Sequence, residues 1–262
     1  GLGDVYKRQN YARQVNTLIG TKGVGLTSGY LYPGATYPYG MVQFTPSYFS
    51  KRSGFVINQL SGGGCEHMGN FPTFPVKGKL KMSPDNILNY RINISEEKGH
   101  AGYYEAKVQE DIHAKLTVTE RTGMASYEYP ADQQYGTVII GGGISATPIE
   151  QAAIVITAPN KCEGYAEGGN FCGLRTPYKV YFVAEFDTDA LESGTWKRNE
   201  LKPNTTFAEG EYSGVYFTFD VDKKKNVQYK IGVSYVSVEN ARENLKAENT
   251  GCLLYTSDAA DE

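Results

Sequence analysis

The sequence predicts an all-β fold, namely a large two-sheet antiparallel β-sandwich with one C-terminal linker helix. Three observations support this prediction. The 262 residues include 30 Gly, 21 Tyr, 11 Phe and 11 Pro, a composition typical of a turn-rich, aromatic β protein. Short runs of alternating apolar and polar residues recur mostly every ~8 to 20 residues, which leaves no room for a crossover helix after each strand. One segment alone has a convincing helical pattern.

The strands are predicted from this alternation. The clearest is Ile112 to Thr119, in which every second residue is apolar and faces one side. Two denser apolar runs, Tyr178 to Phe186 and Val227 to Tyr235, indicate strands near the centre of a sheet. Shorter runs predict strands at residues 87–94, 103–108, 138–140, 154–157 and 215–219. Because successive strands are close in sequence, hairpins and meanders are expected, and therefore an antiparallel sandwich.

The predicted helix spans Val238 to about Glu248, with Ser237 as its N-cap and an apolar stripe along one face. A β domain that leads into a helix predicts a second, helical domain further along the chain. We therefore assign residues 10–236 to the β-sandwich and residues 237–251 to the start of a linker helix.

The two ends of the sequence have a different character. Residues 1–9 (GLGDVYKRQ) and 252–262 (CLLYTSDAADE) resemble in-frame translations of the adapters used to prepare sequencing libraries. We expect both to be artefacts and exclude them from fold reasoning, although an ordinary tail at each end is the alternative. Residues 10–251 would then be a segment of a longer reading frame.

Charge and hydropathy exclude two classes of partner. The 26 Lys and Arg residues against 29 Asp and Glu residues give a formal net charge of −3, which argues against a nucleic-acid-binding surface. No stretch approaches the roughly 20 apolar residues that a membrane-spanning helix requires. We expect neither a nucleic-acid partner nor a membrane span.

Three cysteines remain when the C-terminal end is set aside: Cys65, Cys162 and Cys172. An odd count is not a complete disulfide framework, and the spacings match no zinc pattern. Cys162 and Cys172 flank a Gly-rich segment and could pair in an oxidising compartment, which would leave Cys65 as the free thiol. Three unpaired, small hydrophobic residues are the alternative.

The first Gly-rich segment, residues 58–76, places Cys65, Glu66 and His67 directly after three glycines. These residue types can form a nucleophile or a metal site. However, adjacent residues rarely point at each other, and no partner stands at a metal-ligand spacing. A polar binding loop is therefore favoured, with ordinary loop structure as the alternative.

The second Gly-rich segment, residues 162–173, is predicted to be another flexible loop, carrying Asn170 and Phe171. Polar loops with aromatic residues suit sugars, whose hydroxyl groups need hydrogen bonds and whose apolar face stacks on rings.

Seven groups of residues also carry a resemblance to a known family, in the same order and over essentially all of residues 15–248. They are VNTLIGT (15–21), PGATYPYGMVQFTP (33–46), LSGGGCEHMGNFP (60–72), AGYYEAKV (101–108), AKLTVTERTGMASYEYP (114–130), GGNFCG (168–173) with VYFVAEF (180–186), and IGVSYVSVENARENLKAE (231–248). In this order they resemble the N-terminal domain of glycoside hydrolase family 92, the calcium-dependent, exo-acting α-mannosidases.

The resemblance implies a β-sandwich of the supersandwich type, a linker helix and an (α/α)6 barrel that lies beyond this sequence. In the family the barrel holds the general acid, the general base and most calcium ligands, and the reaction inverts the anomeric carbon. No catalytic residue and no metal ligand is therefore assigned in this chain, which we expect to be inactive alone. The resemblance also implies a periplasmic or extracellular protein that acts on mannose-containing glycans, with the missing catalytic domain as its partner in cis.

By matching position, the resemblance assigns contacts with the terminal mannose to the two Gly-rich loops. The residues concerned are Gly64, Cys65, Glu66, His67, Asn170, Phe171 and Cys172, of which residues 65–67 are expected to be the most exposed. Many relatives carry Trp where this chain has Phe171, and Gly after the first-loop cysteine where it has Glu66 and His67. Because that loop helps to form the pocket entrance, these departures bear on the linkage preference.

Two other functions are compatible with the sequence. A free-standing carbohydrate-binding module is suggested by the many aromatic residues, although a single Trp and the C-terminal helix weaken that reading. The second alternative is a β-sandwich that has a structural or protein-interaction role and binds no ligand. This function would give the Gly-rich loops no role.

Overall fold

The computed structural model describes residues 14–21, 31–47, 54–87 and 93–249. The adapter-like segments 1–9 and 252–262 lie outside these residues. The described residues form two antiparallel β-sheets with one long helix, which confirms the predicted all-β sandwich. Neither helix in the described ranges is long and apolar enough to cross a membrane.

The strands of the described residues are, in chain order, β1 (Ala35–Thr36), β2 (Gln43–Pro46), β3 (Phe55–Val56), β4 (Thr73–Lys77), β5 (Ile94–His100), β6 (Tyr103–Val108), β7 (Ile112–Val118), β8 (Thr122–Glu128), β9 (Tyr135–Gly141), β10 (Ile149–Ala158), β11 (Lys161–Phe171), β12 (Leu174–Phe186), β13 (Glu192–Lys197), β14 (Glu200–Pro203), β15 (Phe207–Glu209), β16 (Ser213–Asp220) and β17 (Asn226–Ser234). The helices are α1 (Pro84–Ile87) and α2 (Val238–Glu248). Of the predicted strand 87–94, residues 88–92 lie outside the described residues. At its two ends, residue 87 belongs to α1 instead and Ile94 begins β5.

The first sheet has eight strands in the order β1-β2-β3-β4-β9-β16-β13-β14, and the second has nine in the order β15-β10-β11-β12-β17-β8-β7-β6-β5. Neighbours such as β5 to β8 and β10 to β12 are consecutive in sequence. The short connections predicted these hairpins, since antiparallel strands need only a tight turn between them.

The main core lies between the two sheets and is rich in aromatic side chains. Tyr127 of the second sheet stacks on Phe55 of the first, with 6.1 Å between ring centroids, and on Tyr229 beside it. The hydroxyl of Tyr229 donates a 2.7 Å hydrogen bond to Thr73 Oγ1 across the core. Burying each of these side chains is worth about 1.5 to 3 kcal/mol, and the shared hydrogen bond satisfies a group that would otherwise be costly to bury.

Helix α2 packs on the outer face of the nine-stranded sheet. Ser237 is its N-cap, and the Ser237 hydroxyl oxygen accepts a 3.1 Å hydrogen bond from the Asn240 N–H. Ala241 and Leu245 pack against Val183 of β12. A Cβ atom on Gly232 would lie 2.4 Å from the Ala241 carbonyl oxygen, so this glycine lets the helix approach β17 closely. The predicted helix, its cap and its apolar stripe are confirmed.

The Gly-rich segment 162–173, predicted to be a flexible loop, is mostly strand β11. Its inward-facing residues are all small, namely Cys162, Gly164, Ala166 and Gly168, and they are buried between neighbouring strands. A Cβ atom on Gly164 would lie 2.2 Å from the Ala153 carbonyl oxygen of β10. The glycine therefore serves close packing within the sheet rather than loop flexibility.

Candidate functional site

The two predicted binding segments meet at one place. The loop Gly62–Gly69, which joins β3 to β4, contacts residues 170–173 at the tip of the hairpin formed by β11 and β12. We call these two segments together the loop–hairpin site. A disulfide between Cys65 and Cys172 joins them across 107 residues of sequence, with 5.6 Å between the Cα atoms. All seven residues that the sequence assigned to sugar contact therefore lie in the same cluster.

This disulfide corrects the predicted cysteine pairing. Cys65 is not the free thiol, and Cys162 does not pair with Cys172. Cys162 lies in the core near the start of β11, where burial raises the pKa of its thiol. Cys172 lies in the turn just beyond the opposite end of β11, ten residues away, a separation of about 33 Å in extended chain. The strand itself keeps the two sulfurs apart.

His67 is the second link between the loop and the hairpin. Its ring is edge-on to Phe171 and Tyr178, with centroid distances of 5.0 and 5.7 Å. Its Nδ1 lies 3.2 Å from the Asn170 carbonyl oxygen, close enough to donate a hydrogen bond. Only 8% of His67 is exposed, and Cys65 and Glu66 are half-buried, whereas Gly64, Asn170 and Cys172 are exposed. The expectation that residues 65–67 are the most exposed part of the site is therefore wrong. The contacts of His67 indicate that it holds the loop in place.

The accessible surface of the site comprises the exposed backbone of Gly64, the exposed Asn170 and Cys172, and part of the Phe171 ring. Phe171 is half-buried, and its ring lies against Gly63, where a Cβ atom would be 3.3 Å from Phe171 Cε2. Gly64 is exposed, has a φ of +78°, and would have open space around a Cβ atom. Its peptide groups are therefore accessible to a ligand beside the Phe171 ring.

Glu66 supplies a carboxyl group at the same place. It is half-buried, and this burial raises the pKa of the carboxyl group above its ordinary value. A carboxyl in such a setting can accept hydrogen bonds from ligand hydroxyl groups when ionised and donate one when protonated.

The raised pKa of Glu66 predicts a pH dependence of stability. The folded chain holds this proton more tightly than the unfolded chain, so the Glu66 contribution to the free energy of unfolding falls as the pH rises through the interval between the two pKa values. We expect Glu66→Gln to lack that decrease. Urea unfolding of both proteins between pH 4 and 7 checks this. A difference between them that does not change with pH would contradict the expectation.

A buried polar network supports the loop–hairpin site from below. Asn70 Oδ1 accepts hydrogen bonds from Tyr178 Oη (2.9 Å) and Asn58 Nδ2 (3.1 Å), and the Asn70 N–H donates to Asn58 Oδ1 (2.8 Å). Burial raises the pKa of Tyr178 to about 12, so its hydroxyl stays protonated and keeps donating. The network connects both ends of the first Gly-rich segment to β12.

Sequence reasoning missed these supporting residues. Asn58 and Asn70 border the glycine run, and Tyr178 opens the dense apolar run that became β12. The sequence does place Asn58 and Asn70 on either side of the glycines, between apolar stretches, and this placement could have identified them as buried polar residues. Their pairing with a tyrosine more than 100 residues away had no local signature.

No group of three or more His, Cys, Asp or Glu side chains that could hold a metal ion occurs within residues 14–21, 31–47, 54–87 and 93–249.

Comparison with known proteins shows where this domain belongs. The family model described as the glycosyl hydrolase family 92 N-terminal domain matches residues 14–234. An uncharacterized secreted glycosidase from Arthroderma benhamiae is 25% identical over 276 residues, which cover 91% of this chain and 35% of the relative.

Solved structures show the same fold. The family GH92 α-mannosidase BT3965 from Bacteroides thetaiotaomicron has a TM-score of 0.78 at 24% identity, over 93% of this chain and 36% of that chain. The GH92 family glycosyl hydrolase ccman5 has a TM-score of 0.80 at 21% identity, over 95% of this chain and 35% of that chain. The GH92 inverting mannosidase BT2199, also from Bacteroides thetaiotaomicron, has a TM-score of 0.72 at 22% identity, over 91% of this chain and 33% of that chain. The chain thus spans about a third of the length of each of these relatives.

Proposed function

The chain belongs to glycosyl hydrolase family 92, as an N-terminal domain of that family, and from this membership we propose that it forms one wall of a pocket for the terminal mannose of an α-mannoside. The observation that carries the proposal is the loop–hairpin site, in which two segments 107 residues apart are fastened into one partly exposed surface. Two of the similar solved structures are described as mannosidases.

The chemistry of the loop–hairpin site suits a sugar. The Phe171 ring offers an apolar face for stacking, and the accessible peptide groups of Gly64 and the carboxyl of Glu66 offer hydrogen-bonding groups at its edge. A pyranose needs both kinds of contact at once. In this proposal the sulfur atoms of Cys65 and Cys172 line the site, while His67 and Asn170 hold the two segments together.

The proposal places the bond-breaking groups in a following helical domain. An inverting glycosidase uses one carboxyl group as acid and one as base, about 6.5 to 9.5 Å apart, with a water molecule between the base and the sugar. In this proposal, which follows the family membership, most of the calcium ligands also belong to that domain. Within this chain, residues 62–69 and 170–173 bind and orient the sugar.

We further propose a periplasmic or extracellular location. A disulfide that persists in the folded protein is typical of oxidising compartments. The similar protein from Arthroderma benhamiae is described as secreted.

The experiment that tests the proposed function uses the longer protein that contains this domain. Mannose release from α-linked disaccharides is measured, and the anomer first formed is identified by ¹H NMR. The proposal predicts release of β-mannose, the product of inversion. Absence of mannose release from every α-mannoside, by a folded protein, would overturn it.

A substitution in the hairpin tip tests the contribution of this chain. We expect Phe171→Ala to raise KM for an α-mannoside about tenfold with a smaller change in kcat, since a lost stacking contact costs about 1.4 kcal/mol of binding. The matched control is Phe207→Ala, which removes an exposed phenylalanine from β15, at the edge of the same sheet. Equal effects of the two substitutions would contradict the assignment of Phe171.

A further inference from the structure

The loop Gly62–Gly69 is held to the sheets by few contacts. Among the described residues, no hydrogen bond joins positions 62–66 to another segment of the chain. Ser61 accepts a hydrogen bond from the Tyr32 N–H before the loop, and the Met68 carbonyl accepts one from the Ala146 N–H near its end. Between these two points the attachments to the hairpin tip are the Cys65–Cys172 disulfide, the His67 contacts and the packing of Phe171 on Gly63.

The backbone of this loop is also conformationally demanding. Gly62, Gly64 and Gly69 have φ values of +73°, +78° and +73°, and Met68, which is not a glycine, has a φ of +58°. Glycine adopts such conformations readily, but it also has many others available when nothing holds it. A loop with three such glycines and few hydrogen bonds gains much conformational entropy when an attachment is removed.

The hairpin tip, in contrast, is anchored independently of the loop. Strands β11 and β12 are paired from Lys161 and Glu185 to Phe171 and Leu174. At the turn, the Gly173 N–H donates a 2.9 Å hydrogen bond to Asn170 Oδ1. Loss of the disulfide would therefore loosen residues 62–66, which the His67 contacts do not fix, and leave the hairpin in place.

We propose that the Cys65–Cys172 disulfide is a redox-sensitive positioning element of the loop–hairpin site. Oxidised, it holds loop 62–69 against the hairpin tip in the arrangement that binds sugar. Reduction by a dithiol breaks the S–S bond: each sulfur gains one electron and one proton, and the dithiol loses two of each as it becomes a disulfide. Residues 62–66 then become mobile, while the His67 contacts remain, and sugar affinity falls. The effect on affinity rests on the proposed function, whereas the mobility of residues 62–66 does not.

Accessibility distinguishes this disulfide from the remaining described cysteine. Cys172 is exposed at the hairpin tip and Cys65 is half-buried, so a thiolate reductant can reach the bond. Cys162 is fully buried in the core. No other described thiol is therefore placed to exchange with the disulfide, and its state is set by the external reductant.

The first test measures loop mobility in the chain itself, by limited proteolysis with a glutamate-specific protease, with and without dithiothreitol. We expect reduction to accelerate cleavage after Glu66 at least tenfold. Cys65→Ser and Cys172→Ser should each show the fast cleavage without reductant, and Cys162→Ala should respond like the wild type. Equal cleavage rates after Glu66 in the oxidised and reduced chain would overturn the proposal. The circular dichroism spectrum shows whether each chain is still folded under the conditions of the assay.

The second test measures the effect on the sugar in the longer protein. We expect reduction to raise KM for an α-mannoside about tenfold with a smaller change in kcat, and reoxidation to restore it. An active enzyme whose KM is unaffected, although the loop is cleaved faster after Glu66, would overturn the positioning role. An oxidised enzyme without mannosidase activity would instead overturn the proposed function, and the proteolysis result would stand separately.

Discussion

Replacing both Cys65 and Cys172 by serine is expected to lower the free energy of unfolding by about 2 to 5 kcal/mol. The disulfide links two residues that are 107 positions apart in sequence, and this cross-link removes many conformations from the unfolded chain. That loop includes strands from both sheets, from β4 to β11. Urea unfolding of the oxidised wild type and the double variant, followed by circular dichroism, measures the difference.

The control for this prediction is Cys162→Ala. It removes the buried free cysteine, so it also tests whether loss of any cysteine destabilises the fold equally. We expect a smaller effect, since Cys to Ala removes one buried sulfur and no cross-link. A double serine variant as stable as the wild type would show that the disulfide does not constrain the chain.

The second large effect is expected for Phe182→Ala in β12. Phe182 is fully buried and its ring packs on Phe71, with 4.2 Å between the centroids. Truncation to alanine should lower the free energy of unfolding by about 3 to 5 kcal/mol, because it loses buried apolar surface and leaves a cavity. Phe71 follows Asn70 of the supporting network, so this packing also holds the base of the candidate site.

The matched control is Phe207→Ala, since Phe207 in β15 is 54% exposed in the same sheet. We expect it to change the free energy of unfolding by less than about 1 kcal/mol. Chemical denaturation of the three proteins provides the comparison. Similar losses for Phe182→Ala and Phe207→Ala would contradict the assignment of Phe182 to the core.

The strands β6, β7, β9, β10, β12, β16 and β17 were predicted, because inward-facing positions recur in them at every second residue. Strands β1 to β4, β8 and β13 to β15 were not among the predicted runs. The predicted strand 103–108 coincides with β6, and the predicted end of the following strand differs from β7 by one residue. Helix α2 was predictable for a similar reason, since its cap and stripe are local. Strand β11 was not, because glycine has little preference for strands and its role depends on β10, a different segment.

The candidate site was predictable as a set of residues but not as an arrangement. Cys65 and Cys172 gave no local sign of pairing, because sequence spacing carries no information about which loops meet in space. The burial of His67 likewise depends on Phe171 and Tyr178, which belong to a hairpin about 100 residues later. Short-range patterns therefore identified the participants, and the packing of distant strands determined their roles.

The most direct test of the central claim, that this chain forms one wall of a mannose pocket shared with a following domain, is calorimetric titration with mannose. The titration is made on the chain alone and on the longer protein that contains it. The account predicts no measurable heat for the chain alone, and binding in the millimolar range or tighter for the longer protein. Binding of equal strength by the chain alone would contradict it, and would identify the domain as a self-sufficient carbohydrate-binding module.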